Sequence, residues 1–204
     1  RATDGELRRA VVRWRWGFVP HWAADERVAS RAFNARAEGL TTSPLFRAAF
    51  ARRRCIVPVD SFYEWRRDGR LRQPFRVHAT DGLPLALAGL WAARRDPETG
   101  EVIRSCTIVT SAPNRLMAAL HDRMPVVLPR DAWATWLAPS GADPGELRAL
   151  LEPRDDLPLA MHPVAPLVNS VRNDGPELIV PVTLEEAAAP TLFERPWLLD
   201  EADG

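Results

Sequence analysis

The chain has 204 residues, 46% of them hydrophobic and 26% charged, the make-up of a globular protein long enough to bury a substantial core. No apolar run reaches the length of a membrane span, and the opening residues lack a basic-then-apolar leader pattern, so neither an anchor nor a secretory signal is expected. The formal net charge is zero, but residues 1–76 carry 17 Arg against 8 acidic residues and the remainder 10 Arg against 19. That asymmetry fits an electropositive face suited to phosphates, and equally an arginine-rich surface that pairs with the acidic half. All 27 basic residues are arginine, which excludes any chemistry that needs a lysine amine. Cys55 and Cys106 give no disulfide framework and fit a reducing bacterial cytoplasm. Arginine without lysine, with 19 prolines, suggests a GC-rich genome.

In chain order, Val12-Arg13-Trp14-Arg15-Trp16 alternates as a half-buried strand does. An aromatic, Pro-containing turn follows from Gly17 to Trp22. Ser43-Pro44 predicts a helix start leading into Leu45-Phe46 and Ala49-Phe50, with Arg52-Arg53-Arg54 at its C-terminal end. Strands are predicted at 55–59 and 62–65, with a hairpin turn at Asp68-Gly69, and then at 75–79, 85–91 and 103–110. Helices are predicted at 113–120, 130–137 and 144–151, and short strands at 161–164 and 178–182. The sum is one α+β domain over residues 1–184, with a mostly antiparallel, curved or barrel-like sheet and flanking helices. An acidic extension, 185–204, has Trp197 as its one strong anchor.

Three polar segments in apolar surroundings are the candidate chemistry: Phe33-Asn34-Ala35-Arg36-Ala37-Glu38, Ser61-Phe62-Tyr63-Glu64-Trp65 and His121-Asp122-Arg123-Met124-Pro125. On a strand, Glu64 shares a face with Phe62, and desolvation there would raise its pKa toward general acid–base use; an exposed strand glutamate reads equally well. His121, after a helix and beside an acid and an arginine, is either a proton shuttle or a capping residue. Asn34 is either a buried, orienting amide or a turn residue. Arg36, Arg123 and Trp22 suit a nucleic-acid groove, guanidinium on phosphate and indole on base, although Trp22 equally suits core packing. The four histidines show no metal-ligand spacing, and the two cysteines fall in apolar strand patterns as small hydrophobes, so neither a metal nor a cofactor is expected.

In order along the chain stand Arg15-Trp16-Gly17-Phe18-Val19-Pro20, Asn34-Ala35-Arg36-Ala37-Glu38 and Pro58-Val59-Asp60-Ser61-Phe62-Tyr63-Glu64-Trp65. Ala88-Gly89-Leu90-Trp91, His121-Asp122-Arg123-Met124-Pro125 and Val168-Asn169-Ser170-Val171-Arg172-Asn173-Asp174-Gly175 follow. Together they resemble the SRAP family, the SOS response-associated peptidases that process abasic sites. The resemblance covers about 12–182 and implies a monomer in the bacterial cytoplasm, at the nucleoid when bound to DNA. Its partner would be single-stranded DNA containing an abasic site.

Family members cross-link to the ring-opened sugar aldehyde through an N-terminal cysteine, which is exposed by self-catalysed removal of methionine. The α-amine forms a Schiff base and the thiol closes a thiazolidine. An α-amine titrates near about 7.7–8.0 against about 10.4 for lysine, so much of it is neutral at cellular pH. By motif match, Glu64 would hold and deprotonate the terminal amine, His121 would open the sugar and move protons, and Asn34 would orient the linkage. Arg36 and Arg123 would contact phosphates, Thr110 would add a hydrogen bond to the DNA backbone, and Trp22 would stack on a base. The sequence opens Arg1-Ala2-Thr3-Asp4 where the family has Met-Cys-Gly-Arg, so the nucleophile is not among these residues. Three expectations stand: covalent abasic-site capture by a longer parent polypeptide, a non-covalent single-stranded DNA-binding module with a degenerate site, and a small hydrolase using Glu64 and His121.

Overall fold

The computed structural model describes residues 9–68, 71–139 and 142–188, which form two compact units. In chain order the elements are β1 (Arg15–Trp16), β2 (Asn34–Arg36), α1 (Arg47–Arg52), β3 (Arg54–Val59), β4 (Ser61–Asp68) and β5 (Leu71–Ala79). Then come β6 (Leu85–Arg95), β7 (Val102–Ser111), β8 (Met124–Pro125), α2 (Trp133–Leu137), α3 (Pro144–Ala149), β9 (Leu159–Pro163) and α4 (Leu184–Ala188).

The first unit, which ends its first stretch at Val59 and takes in Ala86–Asn114 and Arg123–Leu157, is built on β7. On one side of β7, β1 pairs parallel at Ser105 and Cys106, and β2 pairs parallel from Ile108 to Thr110. On the other side β6 runs antiparallel from Val102 to Ile108, and β8 takes over at Thr110 and Ser111. β3 lies beyond β6. The near-continuous apolar run of β6 is buried from Leu85 to Leu90, as expected for a strand covered on both faces. The core gathers Phe18, Leu40, Phe50, Ala88, Leu90, Val109, Leu128 and Trp136.

Gly89 is fixed by close approach. A Cβ there would stand 2.9 Å from Cys55 Sγ and 3.1 Å from the Thr107 carbonyl oxygen. Gly89→Ala should therefore cost about 1–3 kcal/mol, read as a lowered Tm. Combining it with Cys55→Ala, which removes the obstructing sulfur, should cost less than the two single effects added.

The second unit, Asp60–Leu85, Arg115–Asp122 and the residues from Pro158 onward, holds the antiparallel sheet β4–β5–β9. Glu64 stands opposite Phe75, and Arg76 opposite His162. Thr183 and Glu186 exchange hydrogen bonds as a capping box (Thr183 N to Glu186 Oε2 2.6 Å, Glu186 N to Thr183 Oγ1 3.1 Å), which starts α4. That helix spans the boundary expected at 184/185. Trp197 and Gly69 lie outside the described residues.

The α+β class is as expected, and the strands from β3 to β7 fall where strands were predicted. Several elements differ. The sheets are two rather than one, neither closes on itself among the described residues, and β1 and β2 run parallel to β7. Side-chain alternation reports faces and not strand direction. The helix predicted at 113–120 is a single 3-10 turn, Met117–Ala119. Asn114 interrupts it, giving its backbone N–H to Met124 Sδ at 3.1 Å and its amide to the Arg154 carbonyl at 2.9 Å. The strand predicted at 178–182 is a 3-10 turn, Pro176–Ile179, with one bridge from Pro181 to Val164. The Ser43 cap forms, Leu45 N donating to Ser43 Oγ at 3.3 Å, but regular helix begins only at Arg47. No described helix is long and apolar enough to cross a membrane.

Candidate nucleic-acid interface

Asn34 and Arg36 are carried on β2, whose position depends on the carbonyl of the residue before it. The Phe33 oxygen accepts from Trp16 Nε1 at 2.8 Å, Thr107 Oγ1 at 2.9 Å and Ile108 N at 3.1 Å. With Ala35 buried between them, Asn34 and Arg36 both face outward and are exposed. Asn34 is thus neither a buried amide nor a turn residue. The Trp16 ring meets Phe33 edge-on, 5.3 Å between centroids, at the start of this strand.

Arg36 stands opposite Thr110, and Arg123 reaches the same residue. Arg123 Nη1 and Nη2 donate to the two carboxylate oxygens of Glu38 at 2.6 and 3.0 Å, and Nη2 also donates to the Thr110 carbonyl at 2.6 Å. Thr110 is buried, with its Oγ1 3.5 Å from Arg123 Nη2, so its polar atoms face the arginine. The hydrogen bond from Arg123, aided by the charge of Arg36, holds the Glu38 carboxyl below its usual range.

Trp22 is 58% exposed, so the core-packing alternative does not hold for it. Its turn is tied down from inside: the buried Arg94 donates to the carbonyls of Ala23 at 2.8 Å and Ala24 at 2.9 Å and pairs with Asp96 at 3.2 Å. An exposed indole on an anchored turn is a ready stacking surface.

Glu64 and His121 belong to the second unit. Half-buried on β4, Glu64 shares a face with Phe62 and Arg66 and stands across from the buried Phe75, over whose ring the Arg66 guanidinium sits at 5.3 Å. Its Oε1 accepts from Trp65 N at 3.2 Å. The opposite face of β4 is braced: Trp65 Nε1 donates to Asn169 Oδ1 at 2.7 Å, and Tyr63 O–H to the Leu178 carbonyl at 3.3 Å. Asn169 lies in a recognisable motif, but nothing in the spacing joins it to Trp65, 104 positions away. His121 follows the 3-10 turn, its N–H donating to Met117 O at 3.0 Å, and its Nδ1 lies 3.0 Å from Asp122 Oδ1.

Burial pushes the Cys55 thiol up to about 12, with Cys106 adding to it, and burial also raises Cys106. Neither supplies a thiolate near neutral pH. No metal-sized cluster of three or more His, Cys, Asp or Glu occurs among the described residues.

A model of the SOS response associated peptidase (SRAP) family matches residues 1–171. The Abasic site processing protein YoqW of Bacillus subtilis is 44% identical over 177 residues, covering 86% of this chain and 78% of that protein. The Abasic site processing protein YedK of Escherichia coli is 32% identical, over 82% of this chain and 73% of that one. A crystal structure of a protein from Bacteroides thetaiotaomicron superposes with a TM-score of 0.77 at 28% identity, covering 83% of this chain and 76% of the other. Motif order, fold and these likenesses agree, and the chain belongs to the SRAP family.

Proposed function

We propose that this chain is the DNA-engaging body of an abasic-site processing protein, one that binds single-stranded DNA at the lesion and captures it covalently. The observation that carries the reading is the meeting of two motif arginines, Arg36 and Arg123, at one residue of β7, Thr110. Two guanidiniums flanking one strand position suit successive phosphates of a single strand, and the exposed Trp22 suits an unpaired base. The bacterial relatives are named for abasic-site processing.

The covalent step needs a primary amine, and a chain without lysine offers only its α-amine. In the longer parent polypeptide that amine belongs to an N-terminal cysteine; it attacks the sugar aldehyde and releases water to give an imine. The thiol then adds across the C=N bond, sulfur to carbon and hydrogen to nitrogen, closing the thiazolidine. Glu64 takes the proton from the attacking amine and assists removal of the initiator methionine. His121 relays protons as the sugar opens and the imine forms, and Asn34 orients the terminal residue.

The test is the protein as the cell produces it, incubated with an abasic single-stranded oligonucleotide and weighed intact. A denaturation-resistant adduct whose modified peptide is the N-terminal one is expected. Binding without any adduct, even after borohydride trapping of imines, would leave a non-covalent single-stranded DNA-binding module.

A further inference from the structure

Glu38 has no part in the chemistry above, yet both its carboxylate oxygens contact one of the two arginines. An acid beside a polyanion site opposes binding by its charge alone. It sits on a 3-10 turn right after β2, 59% exposed, and both its oxygens are taken up by the Arg123 fork at 2.6 and 3.0 Å. The third hydrogen bond of that fork, to the Thr110 carbonyl, fixes the guanidinium against β7 at the residue whose register partner on β2 is Arg36. Arginine in solution samples many rotamers and loses them when it grips a phosphate. A fork locked beforehand avoids that loss and faces one direction only.

We propose that Glu38 is a positioning residue, holding the Arg123 guanidinium so that it meets the DNA phosphate next to the one met by Arg36. The inference rests on the DNA-binding reading of this face. Arg123 directly follows His121 and Asp122 in sequence, so the same clamp also ends the segment that bears the histidine. The pairing joins residues 85 positions apart and is bidentate, the geometry that gives an arginine–carboxylate pair its directional specificity. Glu38 is kept ionised by Arg123, so the clamp persists at every pH above the ordinary carboxylate range and opens only in acid.

The experiment measures binding of an oligonucleotide bearing a tetrahydrofuran abasic analogue, which cannot form an imine, across a range of salt concentrations. Glu38→Gln, Arg123→Ala and the double variant are compared with the unsubstituted protein. Glu38→Gln keeps the side-chain length but breaks the two-pronged pairing. It should weaken binding about three- to tenfold and lower the salt slope by about one, as expected when one phosphate is no longer neutralised. Arg123→Ala should weaken binding to the same extent, and the double variant should be no worse than Arg123→Ala, because Glu38 acts only through the arginine. A Tm unchanged in Glu38→Gln separates this effect from a loss of fold. Tighter binding with a steeper salt slope in Glu38→Gln would overturn the proposal, making Glu38 a competitor of the phosphate. Unchanged binding, or effects that add in the double variant, would overturn it as well. Failure of the unsubstituted protein to bind would instead sink the DNA-binding reading itself, and that result is visible before any substitution is made.

Discussion

Glutamine in place of Glu64 is expected to slow adduct formation with abasic single-stranded DNA by about 10²–10⁴-fold while leaving DNA affinity within about threefold. Glutamine retains the length of the side chain and an oxygen to accept the hydrogen bond from Trp65 N, so β4 and its pairing with Phe75 should survive. It cannot accept the proton that an attacking ammonium must lose before it becomes a nucleophile. The effect should therefore appear in the rate at saturating DNA and not in the binding curve, the pattern of an interaction made only on the way to the transition state. Removal of the initiator methionine, measured as the intact mass of freshly expressed protein, should be slowed in parallel. Wild-type rates for both would take Glu64 out of the mechanism.

Arg54→Met should destabilise the fold by about 3–5 kcal/mol, seen as a Tm lower by roughly 10 °C or more and an earlier denaturant midpoint. The Arg54 side chain is buried and donates entirely to main-chain oxygens. Nε bonds Trp136 O at 2.7 Å, Nη1 bonds Phe50 O at 2.6 Å and Ala51 O at 2.7 Å, and Nη2 bonds Ala138 O. These carbonyls lie at the C-terminal ends of α1 and α2, helices of 6 and 5 residues that are too short to hold themselves. One guanidinium thus closes both helices and is favoured there by both dipoles. Methionine matches the volume but leaves those oxygens buried without donors, each a cost comparable to a missing hydrogen bond to a charged group. Burial lowers the Arg54 pKa, so part of the cost of enclosing the charge is already present in the native protein. A change below about 1 kcal/mol would mean that the carbonyls find water or other donors.

The strands were legible because each carries its own signal. The apolar segments at 55–59 and 62–65, the apolar run of β6 and the turn residues between strands are local patterns. The cap at Asp143 before α3, donated to by Gly145 N and Glu146 N, is equally local. What sequence could not show is how segments far apart meet. The parallel entry of β1 and β2 beside β7 has no local signature, nor does the Glu38–Arg123 pair. Arg54 read as one of three helix-end cations, whereas it is the buried one of the three. The recognisable motifs identified Asn34, Glu64 and His121 as candidates, but not that Asn34 is exposed or that Asn169 braces the strand of Glu64.

The dependence of β1 and β2 on β7 bears on how the molecule is made. Among the described residues, the strands Arg15–Trp16 and Asn34–Arg36 pair with Val102–Ser111, which is synthesised well after them. The Arg36–Thr110–Arg123 cluster must wait longer still. A nascent chain stalled before that point leaves Phe18, Val19 and Ala35, all buried in the finished fold, without the part of their cover that β7 supplies. Formation of the first unit is therefore a late event dominated by pairings distant in sequence, slow compared with helix formation and open to aggregation in the interval. Fragments ending before Val102 should be insoluble, and refolding from denaturant should be limited by the closing of this one strand.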